Sequence, residues 1–450
     1  MTRDELIELI QQQSRLIEEL RKQLEELRRK SQRQANPFSK NKPKADPKKP
    51  GRTARQGRFE NRSSPPQRPT DHNVEASTPK QCPRCGGEVD LERIDTATTT
   101  DLPPIPEPKV TRFAVPVCRC RQCGQQVRGQ APGLATSQVG ATAHRLGPGV
   151  MAMAHLLHYD LGIPVRKVPQ VLLALTGISV TSSAITQDAL RKAEGGIGEN
   201  YDRLRASMRR SAVVHTDDTG WRIGGRNAFL MGFDADSAAV YQIRFRHRNE
   251  EVREIIPVDF SGVLVSDRGK SYDAEVFASM RQQKCLGHVL RNISLVLETK
   301  RGPARKFGLT LKALLREAMQ LAKAAPTEGF GNAVQDLQLR LSRHLRNRIL
   351  NDDDNQRLLN GIGVQMDRER LLTFLHHQGV EPTNNRAERM LRPAVIARKV
   401  SHCSKNLRGA HATAAFLSVI QSSRKPHPPQ SQAALAAALR AIATPSPPAR

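Results

Sequence analysis

The chain has 450 residues, a formal net charge of +27 and a sequence pI near 10.5. That length divides into two to four units, and the surplus of Lys and Arg calls for a polyanionic partner, because neutralised phosphates release counterions and give sequence-independent affinity. No apolar run of about 18 residues occurs and the N-terminus is charged and heptad-patterned rather than signal-like, so the expectation is a modular, cytoplasmic chain without a membrane span.

Residues 1–30 place Leu6, Ile10, Gln13, Ile17, Leu20, Leu24 and Leu27 at alternating spacings of four and three. This is a coiled-coil seam, with a lone helix packing on its own protein as the alternative. Residues 31–79 are expected to be a disordered basic linker. Between 28 and 62 the chain carries thirteen Lys/Arg against two acids, and it offers little apolar surface to bury.

Residues 80–130 carry Cys82-Pro-Arg-Cys85-Gly and Cys120-Arg-Gln-Cys123-Gly. Two matching Cys-x-x-Cys-Gly strings supply four thiolates, the ligand set of a structural Zn2+ site. Over 131–210 helices are expected at about 147–160, 165–176 and 179–192. The short Gly177-containing turn between the last two fits a helix-turn-helix-like DNA-binding domain; a plain helical connector is the alternative.

From 211 the period changes to two. SAVVHTD, NAFLMGFDA, AAVYQIRF and GVLVSD read as strands, the first three as an antiparallel meander, with QQKCLGH as a fifth. Helices are expected near 248–256 and 272–281. The order β-β-β-α-β-α-β followed by a late helix is that of a ribonuclease-H-like domain. It is placed at 211–424 with an α-helical insertion at about 286–380, so the fold class is multidomain α+β. Residues 425–450 read as a disordered Pro/Ala-rich tail.

Three acids stand out within that domain: Asp217 and Asp267, each closing an apolar β-branched run, and Glu388 in the stretch EPTNNRAERMLRP. Carboxylates that converge from strand ends and a packed helix hold hard divalent cations, as in-line phosphoryl transfer requires. Strand alternation alone leaves Asp217 and Asp218 equivalent, and Glu381 competes with Glu388. Around the Glu, Arg386, Arg389, Arg392, Arg398 and Lys399 are candidate DNA phosphate ligands, with a solvated basic face as the bland reading. Trp221 is read as core or as a base-stacking residue, and Cys285 and His288 as structural.

In order, the paired Cys-x-x-Cys, HTDDTGW, VLVSDRGKSYD, KCLGHVLRNI and TNNRAERMLRPAVIARK resemble the insertion sequence 66 family of bacterial transposases. The likeness runs from the N-terminal helix to about residue 423. Thr383 stands where that family usually has Asp. The resemblance implies an Asp-Asp-Glu transposase, a polynucleotidyl transferase whose triad is Asp217, Asp267 and Glu388 with two Mg2+ (or Mn2+) ions. It implies cleavage at element ends, joining of the freed 3′-hydroxyl to target DNA, and DNA terminal inverted repeats as partner. A homo-oligomer, small accessory proteins of the same element and a place at the bacterial nucleoid are implied with it. A non-catalytic DNA-binding remnant and a ribonuclease-H-like nuclease are the competing functions.

Overall fold

The computed structural model describes residues 12–13, 16–20, 23, 74–77, 79–95, 107–131, 146–323, 329–346, 349–428 and 431–443. The chain divides into two compact units, Phe38–Glu107 and the remainder, Met1–Pro37 with Pro108–Arg450. Of the expected coiled coil, residues 12–13, 16–20 and 23 are helical and exposed, Ile17 and Leu20 among them; Leu6, Ile10, Leu24 and Leu27 lie outside the described residues. So does most of the expected linker.

In the smaller unit the Cys82 amide donates to the Gly87 carbonyl at 2.8 Å and the Gly86 amide to the Cys82 carbonyl at 2.8 Å. In the larger unit the same turn recurs. The hairpin of β1 (Val117–Arg119) and β2 (Gln126–Arg128) is closed by Cys120 amide to Gln125 carbonyl at 2.7 Å and Gly124 amide to Cys120 carbonyl at 2.9 Å. Gly86 and Gly124 take φ of 74° and 73°, a left-handed backbone that glycine adopts without a Cβ clash.

The helices α1 (Pro148–His155, continued by a π segment Leu156–Asp160), α2 (Val168–Thr176), α3 (Ser182–Glu194) and α4 (Gly196–Met208) follow. The turn between α2 and α3 ends at Thr181, whose hydroxyl accepts from the Ala184 amide at 3.1 Å, an N-cap. α3 buries Ile185, Ala189 and Ala193 and leaves Ser183, Thr186, Gln187 and Arg191 outward. Ala189, Ile197, Tyr201 and Met208 join the same apolar core as the sheet.

That sheet has the order β5-β4-β3-β6-β7: β3 (Val213–Ile223), β4 (Arg226–Asp234), β5 (Ala239–Arg244), β6 (Val263–Ser266) and β7 (Gln282–Lys284). β3, β4 and β5 pair antiparallel, while β6 lies parallel to β3 and to β7. The meander and the fifth strand match the sequence reading. β3, however, does not stop at Asp217: Trp221 and Ile223 keep the alternation, and β4 pairs with β3 to its end.

One expected helix is shorter, α5 (Asn249–Arg253), and the one expected at 272–281 is reduced to a 3-10 turn, Glu275–Phe277. Tertiary partners take the carbonyls a helix would use. Gln282 Nε2 donates to the Tyr272 carbonyl at 3.0 Å and Arg370 Nη2 to the Phe277 carbonyl at 2.9 Å.

The insertion forms α6 (Leu286–Thr299), α7 (Gly302–Leu321), α8 (Phe330–His344) and α9 (Asp353–Asp367), whose apolar stripes pack on each other and on Val263 and Val265 of β6. Two helices return to the sheet, α10 (Asn385–Ser401) and α11 (Leu407–Arg424). The expected disordered tail is corrected in part: α12 (Gln432–Ala443) buries Ala434, Ala438 and Ile442. Alanine is the best helix former, and the i, i+4, i+8 spacing gives the helix a face to bury.

Candidate active site

The parallel register pairs Val213 with Val263, Val214 with Leu264 and His215 with Val265. This is an offset of 50, and carried two residues further it sets Asp217 beside Asp267. Side chains alternate along a strand, so Val213, His215 and Asp217 share a face with Val263, Val265 and Asp267. Both valines of β6 pack against the insertion, and that face therefore looks toward α6. Thr216 and Asp218 look the other way. The Thr216 hydroxyl lies 3.2 Å from the Tyr272 hydroxyl, and Asp218 lies 3.2 Å from His247 Nδ1.

Asn384 and Arg398 bring α10 onto the same face. Asn384, fully buried ahead of the helix, donates from Nδ2 to the Thr216 carbonyl at 2.7 Å, and its Oδ1 meets His215 Nδ1 at 3.3 Å. Its amide donates to the Cys285 thiol at 3.1 Å, linking α10 to the start of α6. Further along, Arg398 donates to the Thr219 hydroxyl at 2.8 Å and to the Gly220 carbonyl. Gly232, the β4 partner of Asp217, supplies the clearance: a Cβ there would lie 3.0 Å from Leu391 Cδ2 and 3.4 Å from Met390 Sδ.

Glu388 lies on the first turn of α10, with Oε1 3.9 Å from Nε2 of His288 on α6. Asp217 is pushed up to about 7 by burial, with further upward pressure from Asp218 and Asp267, against the Asp218 amide and His288. His288 is raised in turn, chiefly by the Cys285 thiol beside it and also by Asp267. Burial alone raises the Cys285 thiol, but His288 and the Asn384 amide bring it below its ordinary value. Asp217, Asp267, Glu388 and His288 therefore share one electrostatic neighbourhood, whereas Glu381 acts on His215.

Asp267 is held by its own turn, accepting from the Gly269 amide at 2.9 Å. Beneath it lies a buried charge network outside the sequence reading. Lys284, with no exposed surface, donates to Asp273 at 2.8 Å and to the Ser266 hydroxyl at 3.3 Å. Arg370 and Gln365 reach the same Asp273 carboxylate at 3.3 and 3.0 Å. The network ties the strand end that carries Asp267 to the insertion.

Among the described residues no three His, Cys, Asp or Glu side chains form a ready metal cage. Magnesium does not require one, since it keeps several waters and takes one or two carboxylates. The donor set fits such an ion: two hard carboxylates on adjacent strands, one of them destabilised as an anion by burial and by its neighbour, which a dication relieves.

The five basic candidates separate. Arg386 is engaged, its Nε 2.6 Å from Asp234 and its Nη1 2.6 Å from Asp236. Arg398 is spent on β3. Arg389, Arg392 and Lys399 are exposed and make no ion pair among the described residues. Trp221 is 4% exposed and donates to the Ser404 hydroxyl at 3.1 Å, so it is a core residue rather than a stacking platform. In the two cysteine turns the Cys82 thiol is lowered by the amides of Arg84 and Cys85, and the Cys120 thiol by those of Cys123 and Gln122. Each turn thus favours thiolate, the metal-binding form.

The family model for the Transposase IS66 family matches residues 144–412, well over half of the chain. The chain belongs to that family. No curated protein matches. Among solved structures, the catalytic core domain of the HTLV-2 integrase in complex with magnesium, in a trimeric form, is 12% identical over 33% of this chain and 95% of that one, with a TM-score of 0.15. A likeness that slight carries no argument. Among the described residues no helix is long and apolar enough to cross a membrane.

Proposed function

We propose that the protein is a DNA transposase of the Asp-Asp-Glu type, with a ribonuclease-H-like core and a helical insertion. One observation carries the reading: the β3–β6 register sets Asp217 beside Asp267 on the face to which α10 brings Glu388. Asp217, Asp267 and Glu388 would hold Mg2+ or Mn2+, and a bound pair of such ions supplies Lewis-acid stabilisation of charge on the phosphoryl oxygens.

The chain's own groups orient the reaction. Asn384 and Arg398 fix α10 along β3, the Gly269 amide fixes the Asp267 carboxylate, and His288 lies against Glu388. Arg389, Arg392 and Lys399 supply outward cations for DNA phosphates. Water breaks a phosphodiester at the element end, leaving a 3′-hydroxyl. That hydroxyl attacks a target phosphodiester, forming one P–O bond as another breaks, so no covalent protein intermediate is needed. Cutting both ends together calls for a homo-oligomer, and small accessory proteins of the same element can join it. Each Cys-x-x-Cys turn offers two thiolates for structural Zn2+.

Incubation with element-end duplexes, a target plasmid and Mg2+ tests this reading. Joined end–target products are expected, lost in Asp267→Asn while DNA binding persists. Cleavage without joining would reassign the protein as a nuclease, and binding without any strand breakage would make it a non-catalytic DNA-binding protein.

A further inference from the structure

β3 overshoots its parallel neighbour. β6 pairs only with Val213–His215, while β3 continues to Ile223 and turns at Gly224–Gly225 into β4. α10 runs beside this overhang in the same direction: Asn384 is bonded at Thr216, Arg398 at Thr219, and the loop after the helix forms a parallel bridge, Ser404 with Ile223. The Ser404 amide donates to the Arg222 carbonyl at 3.1 Å, and the Gly224 amide to the Ser404 carbonyl at 3.0 Å. The hairpin tip and residues 402–406 are thereby one rigid element.

That element carries Arg222, Arg226 and Lys405, all exposed; Arg226, the register partner of Ile223, shares the Asp217 face, whereas Arg222 alternates onto the opposite face with Asp218. None forms an ion pair among the described residues; Arg226 rests on the Phe245 ring at 4.7 Å. No acid offsets them in sequence, since residues 219–233 and 389–450 contain neither Asp nor Glu. Arg408, two residues past Asn406, is already neutralised by Glu194 at 2.8 Å. Between tip and site, Arg389, Arg392 and Lys399 stand on the outer side of α10. The six residue-to-residue steps from Asp217 to Ile223 span roughly 20 Å at about 3.3 Å each, and duplex DNA covers that in about six base pairs.

We infer that Arg226 and Lys405 form a second DNA-backbone contact, gripping phosphates about six base pairs from the phosphodiester cut at the Asp217–Asp267 pair. The inference rests on the transposase reading for where the cut falls. Duplex DNA is the occupant because exposed cations without carboxylate partners match a regular array of phosphates and offer no sequence readout. The tip then sets how much flanking duplex the enzyme needs.

The test compares full-length protein with Arg226→Gln/Lys405→Gln and with a control, Arg316→Gln/Arg343→Gln, that removes two exposed cations from the insertion. Binding of a random-sequence duplex is followed against salt. The tip double should flatten the log–log salt dependence by about 2, since each phosphate contact contributes about 0.9, and the control should change it by much less. On cleavable duplexes, ethylated phosphates about six base pairs from the cut should block the wild type but not the tip double. Equal salt slopes for the two doubles, or an unchanged ethylation pattern, would overturn the inference. Wild-type protein that binds DNA but never cuts it would instead overturn the transposase reading, and the salt comparison would still decide the surface.

Discussion

Asp217 is the residue on which the proposed chemistry turns, and its environment sets a pH signature. Burial lifts its carboxyl from an ordinary 3.8 to about 7, so between those values the folded protein holds a proton that the unfolded chain has lost. Metal-free stability therefore falls as pH rises through that window. Divalent cations need the carboxylate, so their stabilising effect grows as pH rises through about 7. Thermal melts in EDTA and in Mg2+ should diverge with rising pH, and Asp217→Asn should flatten the EDTA slope and shrink the divergence. Parallel melts at every pH would contradict this role. Arg386 makes the opposite case. Its place in an Arg-rich helix marks it as a candidate DNA ligand, yet it pairs with Asp234, a residue 6% exposed that Lys425 also reaches at 2.6 Å. Arg386→Ala should cost about 2–4 kcal/mol of stability by leaving a buried charge short of partners. Denaturant unfolding checks the cost. The salt slope of DNA binding should hardly move, and a large change in it with normal stability would restore Arg386 to the DNA surface.

At the scale of elements, α10 and β3 work as one part, and Gly232 sets their spacing. Gly232→Ala meets the mobile end of Leu391 and should be tolerated. Gly232→Val forces α10 outward, costs about 1–3 kcal/mol by overpacking, and should lower Mg2+-dependent cleavage further by displacing Glu388. Equal cleavage by both variants would mean that helix spacing does not govern the site. Much of this architecture was legible beforehand. Period-two runs gave the five strands, and the 50-residue gap from Asp217 to Asp267 is the strand register itself. The choice between Asp217 and Asp218 was not legible from alternation, because it depends on which face the distant insertion covers. The helix expected at 272–281 failed for a related reason: Gln282 and Arg370 capture the carbonyls of Tyr272 and Phe277, and no local pattern records that. His288 looked structural until α6 was placed against α10. In the tail the prolines masked the spacing of Ala434, Ala438 and Ile442.

Across the whole molecule, a long helical segment separates Asp267 from Glu388 in sequence, and His288, 3.9 Å from Glu388 and raised in part by Asp267, links the two. The Lys284–Asp273–Arg370 network binds that insertion to the strand end beneath Asp267, and Asn384 returns the chain to β3. Residues 217, 267 and 388 are proposed to surround one divalent-cation site, and iron-directed cleavage of the protein backbone probes that arrangement. Fe2+ substituted for Mg2+ reduces added hydrogen peroxide to hydroxyl radicals that cut the chain where the ion sits, and ascorbate regenerates the Fe2+. The account predicts fragments ending near residues 217, 267 and 388, suppressed by excess Mg2+ and absent in Asp217→Asn/Asp267→Asn. Cuts confined to other parts of the chain, or cuts near these residues that persist in the double variant, would contradict it.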